Sequence, residues 1–107
     1  MSKRLEKINE LIREEVSRAI LENVEPGDFV TVMAVETTPD IKHSTVWLSI
    51  LGNEKETLAH ILEKKNIIQH EVTSKMATKY TPKIDFRIDH SQEYVQKIQE
   101  LLKDEGE

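Results

Sequence analysis

Apolar residues recur every three or four positions along the first part of the chain. This spacing places them on one face of an α-helix, and it predicts a helix over about residues 3–22. The stripe consists of Leu5, Ile8, Ile12, Val16, Ala19 and Ile20. The run Pro26-Gly27-Asp28 follows and is predicted to stop the helix. The predicted helix is amphipathic and has one face to bury.

Two short segments rich in β-branched residues come next, at residues 29–36 and 45–51. Each is predicted to form a strand, because β-branched side chains fit a pleated sheet better than a helix. Pro39 and Asp40 lie in the connection between the segments, and both residue types favour turns. The two strands are therefore predicted to pair as an antiparallel hairpin.

Helical spacing returns after the hairpin and predicts two further helices that meet at Asn66. Asn53 is the predicted N-cap of the first helix. The predicted buried side of that helix consists of Leu58, Ile61 and Leu62. The second is predicted over about residues 67–79, on the spacing of Ile68, Val72, Met76 and Tyr80. Pro82 is predicted to end it, because the residue before a proline disfavours the α region.

Polar and apolar residues alternate over residues 83–89, which predicts a third strand with one buried face. Asp89 or Ser91 is then predicted to cap a last helix. The apolar side of that helix consists of Tyr94 or Val95, Ile98, Leu101 and Leu102. The predicted order is α-β-β-α-α-β-α, an α+β fold with a three-stranded sheet and helices on one face.

The length and composition of the chain restrict its class. A chain of 107 residues with 37% hydrophobic and 33% charged residues predicts one folded domain over residues 1–102 and a short flexible tail at 103–107. There is no cysteine, which excludes disulfides, thiolate catalysis and sulfur-ligated zinc. No run approaches the length of a membrane helix, and no apolar segment follows the basic start. We therefore expect a cytoplasmic protein.

The charge of the chain is distributed unevenly. The formal net charge is −5, which by itself argues against a nucleic-acid partner. No lysine or arginine occurs between Arg18 and Lys42, although five acidic residues do. Residues 62–83, in contrast, contain five lysines and two glutamates, a local charge of +3. One face of the protein is therefore expected to be basic although the whole molecule is acidic.

The predicted order resembles the type II KH domain, an RNA-binding fold in which a GXXG loop between the two central helices clamps the nucleic-acid backbone. This chain has no glycine between Gly52 and Gly106, and Lys64-Lys65-Asn66 stands at the corresponding junction. That combination is similar to the ribosome-binding factor A family, in which an interhelical kink, usually Ala-x-Gly, replaces GXXG.

Several local stretches carry this resemblance, which covers about residues 3–102. Residues 32–35 followed by Asp40-Ile41, and then residues 46–52 (VWLSILG), resemble the first hairpin of the family. Residues 79–89 (KYTPKIDFRID) resemble its R-x-x-P-x-L-x-F-x-x-D pattern, and Arg4 with Ile8 resembles the start of its first helix. The departures from the family pattern are Lys64 and Asn66 at the kink, Lys79 for an arginine and Ser44 for an alanine.

The resemblance implies a non-enzymatic, monomeric factor that binds the small (30S) ribosomal subunit through 16S rRNA and assists late subunit maturation and 16S rRNA processing. It implies no cofactor, membrane or small-molecule substrate. Asn66 is expected to act as a left-handed C-cap, with Lys64 and Lys65 at the negative helix end and the free N–H groups of the next helix facing a phosphate. The predicted RNA-binding residues are Arg4, Lys64, Lys65, Asn66, Gln69, Lys75, Lys79, Lys83 and Arg87.

Other interpretations of the same residues stay open. The lysines at the junction are also what ordinary helix capping would use, and any one basic residue can belong to a solvated face. Trp47 is either buried under a helix or exposed as a contact, and an exposed Trp47 would suit a protein-binding adaptor without an RNA role. An enzyme is disfavoured, because no catalytic triad, P-loop or Rossmann pattern occurs. The histidines His43, His60, His70 and His90 lack metal-binding spacing.

Overall fold

A computed structural model of the chain describes residues 3–25, 29–76 and 81–91. The elements are helix α1 (Lys3–Asn23), strands β1 (Val30–Thr37) and β2 (His43–Ile50), helices α2 (Glu54–Glu63) and α3 (Lys65–Lys75), and strand β3 (Lys83–Ile88). This order confirms the predicted α-β-β-α-α-β sequence of elements. The predicted stop at residues 26–28, the last helix and the tail lie outside the described residues.

Strand β2 is the central strand of a mixed three-stranded sheet. It pairs antiparallel with β1, which confirms the predicted hairpin, and parallel with β3. Parallel neighbours cannot be joined by a tight turn, so the chain must travel back along the sheet before β3 begins. Helices α2 and α3 together make that return.

The two faces of the sheet differ in burial. Ser44, Val46, Leu48 and Ile50 are buried on one face of β2, whereas the residues between them are only half-buried. A β-bulge between Val32 and Ala34 shifts the register of β1, so that Val35 rather than Ala34 lies opposite Val46. The bulge returns a β-branched side chain to the core face, where Val35 packs against the core.

Helix α1 supplies the largest share of the core. All of its predicted stripe is buried except Leu5, which is half-buried. The buried apolar residues of the described chain are Ile8, Ile12, Val16, Ala19, Ile20, Val24, Val32, Val46, Leu48, Ile50, Ile61, Ile68, Val72, Met76 and Ile84. Glu15 is also buried on α1, and Arg18 Nη1 lies 3.6 Å from its carboxylate.

A polar contact joins α1 to the hairpin. The Thr37 hydroxyl donates to Asn9 Oδ1 over 2.6 Å, and Ser44 Oγ lies 2.7 Å from the same hydroxyl. Because the Thr37 proton is committed to Asn9, Ser44 is the donor in the second bond. Ser44 is buried, so this bond satisfies a hydroxyl that would otherwise be costly in the core.

The hairpin loop contains a strained residue. Ile41 has φ of 59°, a left-handed conformation that is rare for a β-branched residue. Asp40 stabilises the loop around it, since its carboxylate accepts hydrogen bonds from the Thr38 hydroxyl at 2.6 Å and the Lys42 amide at 3.1 Å. These bonds, the first above all, lower the pKa of Asp40. Packing of Ile41 against the core offsets part of the backbone strain.

Three details of the helical predictions are wrong. Leu62 is 49% exposed, and Thr57 takes the buried position beside Ile61 that Leu62 was predicted to share. Asn53 occupies the N-cap position of α2, but its side chain makes no capping hydrogen bond. Helix α3 ends at Lys75, before residue 79, and Pro82 therefore does not end it.

The early end of α3 has a local cause. The hydroxyls of Thr73 and Ser74 donate to the carbonyls of Gln69 and Glu71, both over 2.8 Å. Side chains of this kind compete with the helical backbone for its acceptors. Met76 then adopts an extended conformation and places its side chain in the core.

Two adjacent residues of α1 test the assignment of its buried face. Ile20 is 1% exposed and Leu21 is 61% exposed. We expect Ile20→Ala to lower the free energy of unfolding by about 2–5 kcal/mol, because it leaves a cavity in the core. The same truncation at Leu21 should change it by about 0.5 kcal/mol or less. Urea denaturation of both variants checks this, and equal reductions would contradict the assigned face.

Candidate nucleic-acid interface

A single residue separates the two central helices. Lys64 lies between α2 and α3 with φ of −94° and ψ of 7°, in the bridge region next to the α-helical region. Its N–H donates to the carbonyls of His60 and Ile61, and its carbonyl accepts from the N–H of Ile68 over 3.0 Å. The helices are therefore joined by a one-residue break and not by a loop.

The break is one to two residues earlier than predicted. Asn66 lies in the first turn of α3, and among the described non-glycine residues only Ile41 has a positive φ. The prediction that Asn66 is a left-handed C-cap is therefore wrong. A break at a residue with negative φ needs no left-handed conformation, so neither glycine nor asparagine is required there. Lys64 is the C-cap of α2, and Lys65 is the first residue of α3.

Lys65 reaches from the break to the edge of the sheet. Its ammonium lies 2.9 Å from Asp85 Oδ1 in β3, and both side chains are partly exposed. The hydrogen bond from Lys65 is the main cause that lowers the pKa of Asp85 below its ordinary value of 3.8, and the charges of Lys65, Lys83 and His43 add to it. Because the pKa is lower in the folded state, ionised Asp85 stabilises the fold above pH 3.8, and this contribution is lost as the pH falls through the folded pKa.

The side chain of Gln69 contacts backbone groups at the start of the same strand. Its amide nitrogen donates to the Pro82 carbonyl over 3.1 Å, and its amide oxygen accepts from the Ile84 N–H over 2.9 Å. Strand β3 is an edge strand, and this pair of bonds satisfies backbone groups that its missing neighbour would have paired. Gln69 thus has a structural role that its sequence position does not indicate.

The remaining predicted residues fall into two groups. Lys83 and Arg87 are exposed on β3, where they share the face opposite the core with Asp85, the residue that Lys65 contacts. Arg4 and Lys75 are exposed on other elements, at the start of α1 and the end of α3. Asn66 is exposed and Lys64 is half-buried at the break, while Lys79 lies outside the described residues. The structure therefore brings Lys65, Lys83 and Arg87 together around Asp85.

Sequence reasoning misses three contributors to this surface. The sequence gives no reason to single out Asp85 among the carboxylates of predicted strands. Its alternation with Ile84 and Phe86 is nevertheless a signal that it shares a face with Lys83 and Arg87. Leu62 and Ile67, on either side of the break, are both partly exposed. Helical spacing suggests burial for Leu62, and only the tertiary packing shows otherwise.

Trp47 lies on the same outer face of the sheet. It is half-buried, and its register partner in β3 is Arg87. Its indole Nε1 is buried and has no hydrogen-bond partner within the part of the chain that the structure describes. Trp47 is thus neither a fully exposed stacking platform nor a fully buried core residue.

Comparisons with known proteins agree with this fold. A family model described as "Ribosome-binding factor A" matches residues 4–102. The chain belongs to the ribosome-binding factor A family. It is 38% identical to ribosome-binding factor A of Akkermansia muciniphila, over 97% of this chain and 86% of that protein. It is 34% identical to that of Caldanaerobacter subterraneus, over 97% of this chain and 90% of that protein.

Solved structures of family members share the fold at low identity. The crystal structure of ribosome-binding factor A from Thermus thermophilus matches with a TM-score of 0.68 and 12% identity, over 78% of this chain and 94% of that one. The solution structure of a Thermotoga maritima protein described as a putative ribosome binding factor A matches with a TM-score of 0.57 and 22% identity, over 74% and 84% of the two chains. The family predicted from sequence is confirmed, and its name is that of a binding factor, in agreement with the expected non-enzymatic role.

Membrane spans and metal-binding clusters are both absent from the described residues. None of the helices in this part of the chain has the length and hydrophobicity needed to cross a membrane. Within the same residues, no group of three or more histidine, aspartate or glutamate side chains is arranged to hold a metal ion.

The role of Gln69 can be separated from RNA contact by two substitutions. Gln69→Leu removes both bonds to β3 and should lower the free energy of unfolding by about 1–3 kcal/mol, because two partly buried backbone groups lose their partner. Gln69→Glu keeps the acceptor for Ile84 and loses the donor to Pro82. Hydrogen exchange should show that the Ile84 amide is protected in the Glu variant and exposed to exchange in the Leu variant. Equal protection in both would contradict the edge-capping role.

Proposed function

We propose that this chain binds the small ribosomal subunit through 16S rRNA and assists the late maturation of the subunit. Membership of the ribosome-binding factor A family carries this proposal. A further support is a Thermus thermophilus ribosome-binding factor A model that was fitted into a cryo-EM map of its complex with the 30S subunit. It matches this chain in fold with a TM-score of 0.57 and 15% identity, over 75% of this chain and 93% of that one.

We also infer that the domain is KH-like of type II, with the one-residue break in place of GXXG and a last helix after β3. The order α-β-β-α-α-β and the mixed sheet support this inference. The stretch from Ser91 onwards, with its helical spacing of apolar residues, supports the last helix.

The RNA-contacting surface that we propose is centred on the break and the outer face of β3. Lys64 and Lys65 lie at the break, and Lys83 and Arg87 extend the positive charge along the strand. The Lys64 N–H already donates to carbonyls at the end of α2, and the ammonium groups of Lys64 and Lys65 provide side-chain donors at the break. Cations of this kind bind phosphates and position RNA without reading its bases.

The acidic remainder of the chain restricts RNA binding to the positively charged surface at the break. With a net charge of −5, the molecule as a whole is repelled by RNA, and attraction exists only where a local positive surface lies within about one Debye length, ~8–10 Å, of the phosphates. Binding should therefore occur in one orientation, with the break towards the rRNA.

Charge reversal at the break tests the surface. Lys64→Glu combined with Lys65→Glu should weaken binding to purified 30S subunits and reduce the slope of log affinity against log salt by about 1 for each phosphate that the variant no longer binds. The matched control is Lys7→Glu with Lys55→Glu, two exposed lysines on other parts of the chain, which changes the net charge equally. Co-sedimentation at several salt concentrations measures both. Equal weakening in the two variants would show that net charge alone matters and would remove the break from the mechanism.

Neutralising Asp85 should act in the opposite direction. In the free protein Asp85 holds the Lys65 ammonium at 2.9 Å and competes with phosphate for it. Asp85→Asn should therefore raise the affinity for 30S subunits at low salt and steepen the salt dependence. Asp40→Asn is the matched control, since it removes the same charge from an exposed carboxylate held by Thr38. In a Lys65→Met background the increase in affinity should disappear, and an increase that persisted there would contradict competition for Lys65.

A further inference from the structure

An apolar cleft lies at the end of the sheet where β1 begins and β2 ends. It has a volume of about 270 Å³ and is lined by Phe29, Leu51, Gly52, Asn53 and Thr57. Small-molecule sites usually have about 300–1,000 Å³, so this cleft is small for a metabolite and suits one or two inserted side chains. The residues that form it are separate from the break and from the outer face of β3.

The walls of the cleft are exposed although they are apolar. Phe29 is 49% exposed and Leu51 is 66% exposed. The Leu51 N–H donates to the Phe29 carbonyl over 3.0 Å, which extends the β1–β2 ladder by one bond and fixes the two residues side by side. Gly52 then turns the chain into α2 with φ of 93°, and no atom lies within 4 Å of where a Cβ would be. The cleft is therefore held open by backbone geometry.

Two glutamates lie in the first turn of α2 beside the cleft, and Oε1 of one of them, Glu54, is 3.9 Å from His90 Nε2. Thr57 faces the cleft from α2, and at about 100° per residue Glu54 and Glu56 lie about 60° and 100° to either side of Thr57. Lys55, the one base in this turn, lies about 160° away and is directed to the other side of the helix. The chain that leads to Phe29 adds no compensating base, since neither lysine nor arginine occurs between Arg18 and Lys42.

We propose that this cleft docks a protein segment in which an apolar side chain is flanked by lysine or arginine. The apolar walls would bury the inserted side chain, Glu56 would pair with one flanking base, and a second flanking base would compete with His90 for Glu54. RNA does not fit this surface, because its phosphates would meet the two glutamates. A second copy of this chain does not fit a symmetric contact here either, because it would bring the same glutamates face to face.

The test uses the full chain, labelled with ¹⁵N, and a nine-residue peptide that carries one leucine between lysine pairs. Titration to millimolar peptide should produce saturable shifts of the amide signals of Phe29 and Leu51 to Thr57. Two control peptides are used, one with glutamates in place of the lysines and one with serine in place of the leucine. Each should bind more weakly by roughly tenfold or more. No saturable shift at the cleft, or equal shifts with all three peptides, would overturn the proposal.

Variants of the protein separate docking from folding. Leu51→Ser should weaken peptide binding by roughly tenfold or more, while Leu21→Ser, which alters an equally exposed leucine outside the cleft, should leave it unchanged. Glu56→Lys should weaken binding without altering the apolar walls. Unfolding midpoints of all three should match that of the unaltered chain. Peptide binding that survives Leu51→Ser and Glu56→Lys would overturn the proposal. It would also be overturned if an eight-nucleotide single-stranded RNA, added in place of the peptide, shifted the amide signals of the cleft residues.

Discussion

The parallel pairing of β2 with β3 is the constraint on which the rest of the structure depends. β2 ends at the far side of the sheet, and β3 must begin again beside His43, so the chain has to cross the whole length of the sheet between them. The crossing is made by two helices that share Lys64, and this geometry brings α3 against the open edge of β3. Gln69 and Lys65 then contact that edge with an amide and an ammonium group. The same packing of α3 beside β3 caps backbone groups at the sheet edge and brings basic residues to it.

The resulting molecule has two surfaces of opposite charge. Lys64 and Lys65 lie at the break, the Lys65 ammonium contacts the Asp85 carboxylate, and Lys83 and Arg87 lie on the same face of β3 as Asp85. At the far end of the hairpin, acidic side chains flank an apolar cleft. Because salt screens charges over about 8–10 Å, each surface presents its own sign to a partner despite the net charge of −5.

The structural comparisons show how little of the sequence the fold requires. The Thermus thermophilus protein shares the fold with a TM-score of 0.68 at only 12% identity. What the two chains must share is the pattern of buried positions, because a core accepts many combinations of apolar residues with the right total volume. Local departures are absorbed in the same way: Ser44 on the core face is satisfied by the Thr37 hydroxyl, and a break without glycine is made by Lys64 in an ordinary bridge conformation.

The order of the described helices and strands and most of their buried faces follow from the sequence, because they depend on local periodicity. The stripe of α1, the alternation of β3, and the core positions Ile68, Val72 and Met76 were predicted from spacing. The antiparallel hairpin was predicted from β-branched and turn residues, and the family from the resemblance of several stretches to it. Only the tertiary structure decided where the central helices break, why Leu62 is exposed, and that Gln69 and Lys65 belong to the edge of β3. The contacts of Gln69 and Lys65 with residues 82–85 join residues at least thirteen positions apart, and a local pattern does not record such contacts.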